Sequence, residues 1–195
     1  MNDNFQRCSK AEPCILLVVE DDGDQAEMLK RLLEDYDGRF SVTLARSVAE
    51  AAAVLSTRPI DLILLDLNLD ENSRGLETLD QIKPLAQDLP IVIVTAQDDR
   101  ETAMAALDHG ARQYFIKPIN IENLVISIPY IITNHRNYRE LQEICAQLNA
   151  RVDSITIMRQ SLESVASGTD ELTGEIRAIV DRLERQTRRR MKMGV

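Results

Sequence analysis

The segment Asp61-Leu62-Ile63-Leu64-Leu65-Asp66-Leu67-Asn68 decides how the rest of the chain is read. Its apolar run, Leu62 to Leu65, is short and hydrophobic at every position, the pattern of a strand buried on both faces. The run ends at a carboxylate, Asp66. Open α/β sheets carry their chemistry at the carboxyl ends of strands. Other apolar runs also end in polar groups: Ile15 to Val19 in Glu20-Asp21-Asp22, Ile91 to Val94 in Thr95, and Tyr114 to Ile116 in Lys117-Pro118. Carboxylates, a hydroxyl and an ammonium meeting at one sheet edge make a site for a divalent cation and a phosphoryl group.

Helical patterns fill the gaps between these runs. A helix is expected from near Asp24, with Leu29, Leu32 and Leu33 on its buried side. The Asp37-Gly38 turn leads to a strand at Phe40 to Leu44. Ser47 is an N-cap for a helix packing through Val48, Ala51, Ala52 and Leu55. Pro59 precedes the strand Ile60 to Leu65, and a polar loop, Asp70 to Gly75, precedes a helix with Leu76, Leu79 and Ile82 that Pro84 should limit. After the strand Ile91 to Val94, a helix starts at Asp98 or Asp99 and ends before Gly110 as its C′ residue. His109 beside it reads as a helix-end residue favoured by the dipole. The last strand is Gln113 to Ile116, and a fifth helix begins near Ile121, with Pro129 expected to kink or break it. Strands alternating with helices through short links predict an α/β fold: a doubly wound, five-stranded parallel sheet of order 2-1-3-4-5.

Beyond Asn137 helix formers dominate. Leu141, Leu148, Ile155 and Leu162 recur every seven residues, with Cys145, Val152 and Ala166 in the intervening seam and Arg159 as its polar exception. The register resumes at Ile176 and Leu183, with Val180 between. This predicts a coiled coil or bundle. Gly168-Thr169-Asp170 leaves two forms open, one long helix or a helical hairpin. The organisation expected is a flexible arm at 1–13, an α/β domain at 14–137 and a helical extension at 138–195. Too little chain remains in the extension for a separate core, which favours a homodimer through it.

Apolar residues make up 44% of the 195 and aromatics only 4%, with no Trp, so the core is aliphatic. A net charge of -9 argues against general nucleic-acid binding. Cys8, Cys14 and Cys145 have no metal-ligand spacing, and their odd number does not suggest a disulfide framework. The chain reads as cytoplasmic, without a signal peptide or a run long enough to span a bilayer.

At the sheet edge, three acids repel one another unless a cation joins them, and Mg²⁺ suits hard oxygen donors. Asp66 is the expected nucleophile, Asp21 a direct metal ligand and Glu20 a ligand through water, with the Asn68 backbone carbonyl completing the set. Lys117 pairs with Asp66 and then with the phosphoryl group, and the Thr95 hydroxyl bonds a phosphoryl oxygen.

Residues 15 to about 135 resemble a response-regulator receiver domain. The likeness rests on Val-Glu-Asp-Asp (19 to 22), Leu-Asp-Leu (65 to 67), Val-Thr-Ala (94 to 96) and Ile-Lys-Pro (116 to 118), in family order and spacing. It implies a flavodoxin-like fold with the phosphoacceptor at Asp66, the acidic metal pair at Glu20 and Asp21, and the switch pair Thr95 and Tyr114. It further implies a cis Lys117-Pro118 bond and a histidine kinase or phosphotransfer protein as donor. Asn68 and Gln97 stand where the family tunes phosphate loss. The chain departs from the family after the phosphoacceptor. Asp70 and Arg74 replace the usual Pro and Gly, and Gly75 comes one residue late.

Two other readings compete. A phosphatase of haloacid-dehalogenase type would need an acid two residues after its nucleophile, where this chain has Asn68. A transcription regulator would use the basic tail, Arg185, Arg188, Arg189, Arg190 and Lys192, on DNA. His135 reads as a solvated histidine on a polar helix face. No separate output enzyme is legible.

Overall fold

A computed structural model describes residues 8, 12–70, 73–86, 88–96 and 100–192, except the side chains of 70, 73–74, 100, 167–171 and 186–192. The strands of its main sheet are β1 (Cys14–Val19), β2 (Phe40–Ala45), β3 (Leu62–Leu65), β6 (Ile91–Thr95) and β7 (Gln113–Ile116). Between them lie α1 (Gly23–Glu34), α2 (Val48–Thr57), α3 (Leu76–Ala86) and α4 (Arg100–Asp108). A last helix, α5 (Ile121–Lys192), follows β7. The sheet order is β2-β1-β3-β6-β7, all parallel, which is 2-1-3-4-5 in sheet strands. The apolar runs split by the strand period of two. Leu16, Val18, Leu62, Leu64, Val92 and Val94 face α1 and the start of α5, with Leu29, Leu33, Leu124 and Ile128. Leu17, Val19, Ile63, Leu65 and Ile93 face the other layer, with Ala51, Leu79, Ile82 and Ala106. A strand covered on both faces has no polar side to show, which is why these runs carry no alternation.

The loop expected at Asp70 to Gly75 is in part a ribbon: β4 (Asn68–Asp70) pairs antiparallel with β5 (Ser73–Arg74). Gly75, at φ +62, closes it and donates its N–H to the Leu67 carbonyl. Pro84 lies inside α3 instead of limiting it. Leu32, expected on the buried side of α1, is exposed, while Leu29 and Leu33 are buried. α4 ends in a Schellman motif: Gly110 at φ +100 donates to the Leu107 carbonyl and Ala111 to that of Ala106.

The odd cysteine count does not suggest a disulfide framework, yet the structure holds one disulfide among the described residues. Cys8 and Cys14 are bonded, with Cα atoms 4.6 Å apart. Cys8 is buried and has a φ of 76, and a local pair of this kind needs no even count. Residues 1–7 and 9–11 of the expected arm lie outside the described residues. Cys145 is free and exposed.

The chain divides into two compact units, Met1–Arg139 and Glu140–Val195. α5 is one helix, with Pro129 inside it, so the extension is a helix and not a hairpin. In the second unit Leu141, Leu148, Val152, Ile155, Leu162, Ile176, Val180 and Leu183 are exposed. Ile144, Met158, Val165, Leu172 and Ile179 are exposed too, so the apolar stripe is wider than the seam read from the heptads. Among the described residues no helix is long and apolar enough to cross a membrane.

Candidate functional site

The carboxyl ends of β1, β3, β6 and β7 lie side by side because the strands are parallel and adjacent. Glu20 follows β1, and its N–H donates to the Ala45 carbonyl. Asp66 follows β3 and donates its N–H to the Val19 carbonyl, so the two acids are fixed at the same height. Thr95 ends β6 and accepts at its carbonyl from the Lys117 N–H, which sets Lys117 just past β7. The Lys117-Pro118 bond is cis.

The Lys117 ammonium lies 2.6 Å from Asp66 Oδ2 and 2.5 Å from Glu20 Oε2. Asp66 is 6% and Glu20 5% exposed, so both carboxylates are taken largely out of water. The second oxygen of Asp66, Oδ1, accepts from the Asn68 N–H at 3.0 Å. Both carboxylate oxygens are therefore engaged and the group has one orientation. Thr95 is fully buried, and the Asn68 side-chain amide donates to its hydroxyl at 3.4 Å. Tyr114 is half-buried in the apolar layer on the Leu17 side of the sheet.

Burial pushes the Glu20 carboxyl above its usual range. The Lys117 hydrogen bond and charge oppose the shift, while the Asp66 and Asp21 charges add to it. Burial would lower the Lys117 ammonium, but the hydrogen bonds and charges of Asp66 and Glu20 outweigh it and hold it above its ordinary value. Asp21 is exposed beside this cluster. One ammonium is thus shared by two buried acids, with the Asp21 charge near enough to act on Glu20, so negative charge is left over. Hard oxygens with residual negative charge fit a hard divalent cation in kind. As they stand, no three acidic, His or Cys side chains among the described residues are gathered round one point, and Lys117 occupies the space between Glu20 and Asp66.

Gln97 lies outside the described residues, as do the side chains of Asp70 and Arg74. One participant is absent from the sequence reading. Gln25 Oε1 accepts from Lys117 Nζ at 2.9 Å. Its signal was available: Asp22 and Gln25 stand at N-cap and N3 of α1, the spacing of a capping box. His135, read as solvated, is half-buried. It bonds the Asp88 carbonyl and lies 3.2 Å from Arg112 Nη2, because α5 packs across the loop before β6.

The family model for the response regulator receiver domain matches residues 16–129. The chain is 32% identical over 152 residues to the transcriptional regulatory protein ZraR of Escherichia coli O157:H7, a match covering 77% of this chain and 34% of that protein. It is 34% identical over 131 residues to the nitrogen assimilation regulatory protein NtrX of Azorhizobium caulinodans, covering 66% of this chain and 28% of NtrX. The chain spans about a third of the length of the ZraR proteins it matches. Among solved structures, a CheY-like receiver domain protein from Methanospirillum hungatei JF-1 aligns with a TM-score of 0.57 at 25% identity, covering 65% of this chain and 99% of that one. NtrX from Brucella abortus aligns at 0.60 and 26% identity, covering 68% of this chain and 30% of its own. A match over more than half of the sequence, on a sheet of the same strand order, makes this chain a member of the response regulator receiver family.

Proposed function

We propose that the chain is a two-component response regulator whose Asp66 accepts a phosphoryl group from the phosphohistidine of a histidine kinase or phosphotransfer protein. The observation that carries this reading is the Lys117 ammonium at 2.6 Å from a buried Asp66 carboxylate whose other oxygen is held by the Asn68 amide. An Asp66 oxygen forms a bond to phosphorus as the P–N bond of the donor breaks and the imidazole nitrogen keeps the electron pair. Lys117, already hydrogen-bonded to the nucleophile, neutralises charge on the phosphoryl oxygens. Asp21, Asp66 and the Asn68 carbonyl would hold Mg²⁺, with Glu20 acting through water. When bound, the ion supplies positive charge next to those same oxygens.

The phosphorylated side chain carries about two negative charges. Its oxygens draw the Thr95 hydroxyl, whose present neighbour is the Asn68 amide. Tyr114 then takes up the space that Thr95 leaves, and the surface of α4 and β7 changes as a population shift. Asn68 and Gln97 set how fast water removes the phosphate. Residues 14–137 form the receiver and 138–195 its output, a helix whose exposed apolar stripe pairs with a second copy.

The test is incubation of the full chain with acetyl phosphate and Mg²⁺, followed by intact mass. The expected product carries one phosphoryl group, released by hydroxylamine, and Asp66→Ala forms none. A wild-type chain that stays unmodified, or an Asp66→Ala chain that is modified equally, would refute the reading.

A further inference from the structure

Lys117 carries three N–H donors and no acceptor. All three have partners: Glu20 Oε2 at 2.5 Å, Asp66 Oδ2 at 2.6 Å and Gln25 Oε1 at 2.9 Å. The first two partners are charged and belong to the reacting cluster. Gln25 is neutral and comes from another element, the first turn of α1.

The Gln25 amide is itself held in one orientation. Its Nε2 donates to Asp22 Oδ2 at 2.8 Å. Asp22 is the N-cap of α1, and its Oδ1 accepts from the backbone N–H groups of Asp24 and Gln25 at 3.0 Å. A carboxylate only accepts, so the amide nitrogen must face Asp22 and the amide oxygen must face Lys117. A helix cap is thereby linked, through one side chain, to the ammonium bonded to Asp66.

We propose that Gln25 is a positioning residue for phosphoryl transfer: it holds the Lys117 ammonium against Asp66 through an acceptor whose charge does not change during the reaction. The inference rests on the reading of Asp66 as phosphoacceptor. Phosphorylation of Asp66 and the pull of the phosphoryl oxygens alter both charged partners of Lys117. The Gln25 bond is indifferent to those changes, so the long lysine stem keeps one fixed point throughout. Gln25 acts through Lys117, so its loss slows the chemical step and leaves small-donor binding as it was.

The experiment uses the full chain with acetyl phosphate and Mg²⁺ in wild type, Gln25→Leu, Asp22→Asn and the double variant. Gln25 is exposed, so Gln25→Leu should fold, and thermal unfolding checks this. Asp22→Asn keeps a capping side chain on α1, but the new amide meets that of Gln25 and turns the Gln25 oxygen away from Lys117. Gln25→Leu is expected to lower the maximal phosphorylation rate about 3- to 10-fold, the range for an exposed hydrogen bond to a charged group, with an unchanged half-saturating donor concentration. Asp22→Asn should act alike and add nothing to Gln25→Leu in the double variant. Without metal, the Lys117 ammonium ¹⁵N resonance should be visible in wild type and broadened by solvent exchange in Gln25→Leu. A wild-type maximal rate in Gln25→Leu, additive losses, or a raised half-saturating concentration would overturn the inference. Absence of phosphorylation in the wild type would instead overturn the proposed function beneath it.

Discussion

Glu20 shows how one position can serve the site and cost the fold. Burial holds its carboxyl above the ordinary value of 4.5, so the folded state favours the protonated form more than the unfolded chain does. An acid shifted this way makes the fold less stable as pH rises through its folded value, and the penalty is absent below about 4.5. Glu20→Gln is therefore expected to raise the melting temperature at pH 7, with the gain shrinking to nothing as pH falls toward the unfolded value. Melting curves of both proteins across that range decide the matter, and a gain that stays constant with pH would point to packing instead. The same substitution leaves Lys117 with one fewer charged partner. Phosphorylation should slow even as stability rises, the trade expected where acids are crowded for function.

Two element ends carry the fold's local demands. α4 stops before Gly110 because that position must adopt φ +100 to satisfy the last carbonyls. An added Cβ there would also meet Lys83 Nζ at 3.1 Å, and that ammonium already donates to the His109 carbonyl at 2.6 Å. Gly110→Ala should cost about 1–2 kcal/mol in denaturant titration. At α5 the neutral His135 ring donates from Nε2 to the Asp88 carbonyl and accepts at Nδ1 from Arg112. A second ring proton would point at the Arg112 guanidinium. Burial lowers its pKa, the charges of Arg112 and Arg139 act in the same direction, and the Asp88 hydrogen bond and charge oppose. The unfolded chain then takes up its proton first, near pH 6.5. The folded state loses stability as pH falls through that value and keeps it above. His135→Gln should flatten this part of the stability profile between about pH 7 and 5; identical slopes in the two proteins would exclude the histidine. Nearby, Arg136 bonds Asp61 and Arg139 bonds Asp88, so α5 is tied to the loops before β3 and β6 over successive turns.

For the molecule as a whole, the second unit poses the largest open demand. Along its helix Leu, Ile and Val side chains recur on one face and are exposed, with Arg159 between them. The stripe is wider than an a/d seam, the pattern of a helix facing a bundle. Light scattering of the full chain is expected to give a mass above the monomer. Ile155→Glu with Leu162→Glu should weaken assembly at least about 100-fold, since each removes an exposed aliphatic side chain whose burial on assembly would be worth about 1.5–3 kcal/mol. Phosphorylation of that variant by acetyl phosphate should match the wild type. A monomeric wild type would show that the stripe belongs to another partner.

Much of this was readable from local pattern, because local pattern has local causes. Runs buried on both faces must be apolar throughout, so the strands and their polar ends at Asp66, Thr95 and Lys117 stood out, and the strand order followed from alternation. Caps at Ser47 and Gly110 were legible for the same reason: a helix end needs a specific partner within a few residues. The remaining features depend on which distant groups packing brings together. Gln25 meets Lys117 across 92 positions, and His135 meets Asp88 across 47, so no spacing along the chain announces either pair. Cys8 and Cys14 are close in sequence, yet their bond depends on Cys8 taking a positive φ, which nothing in the residue type announces. Polar side chains bond whatever the fold delivers to them, and only the folded chain settles what that is.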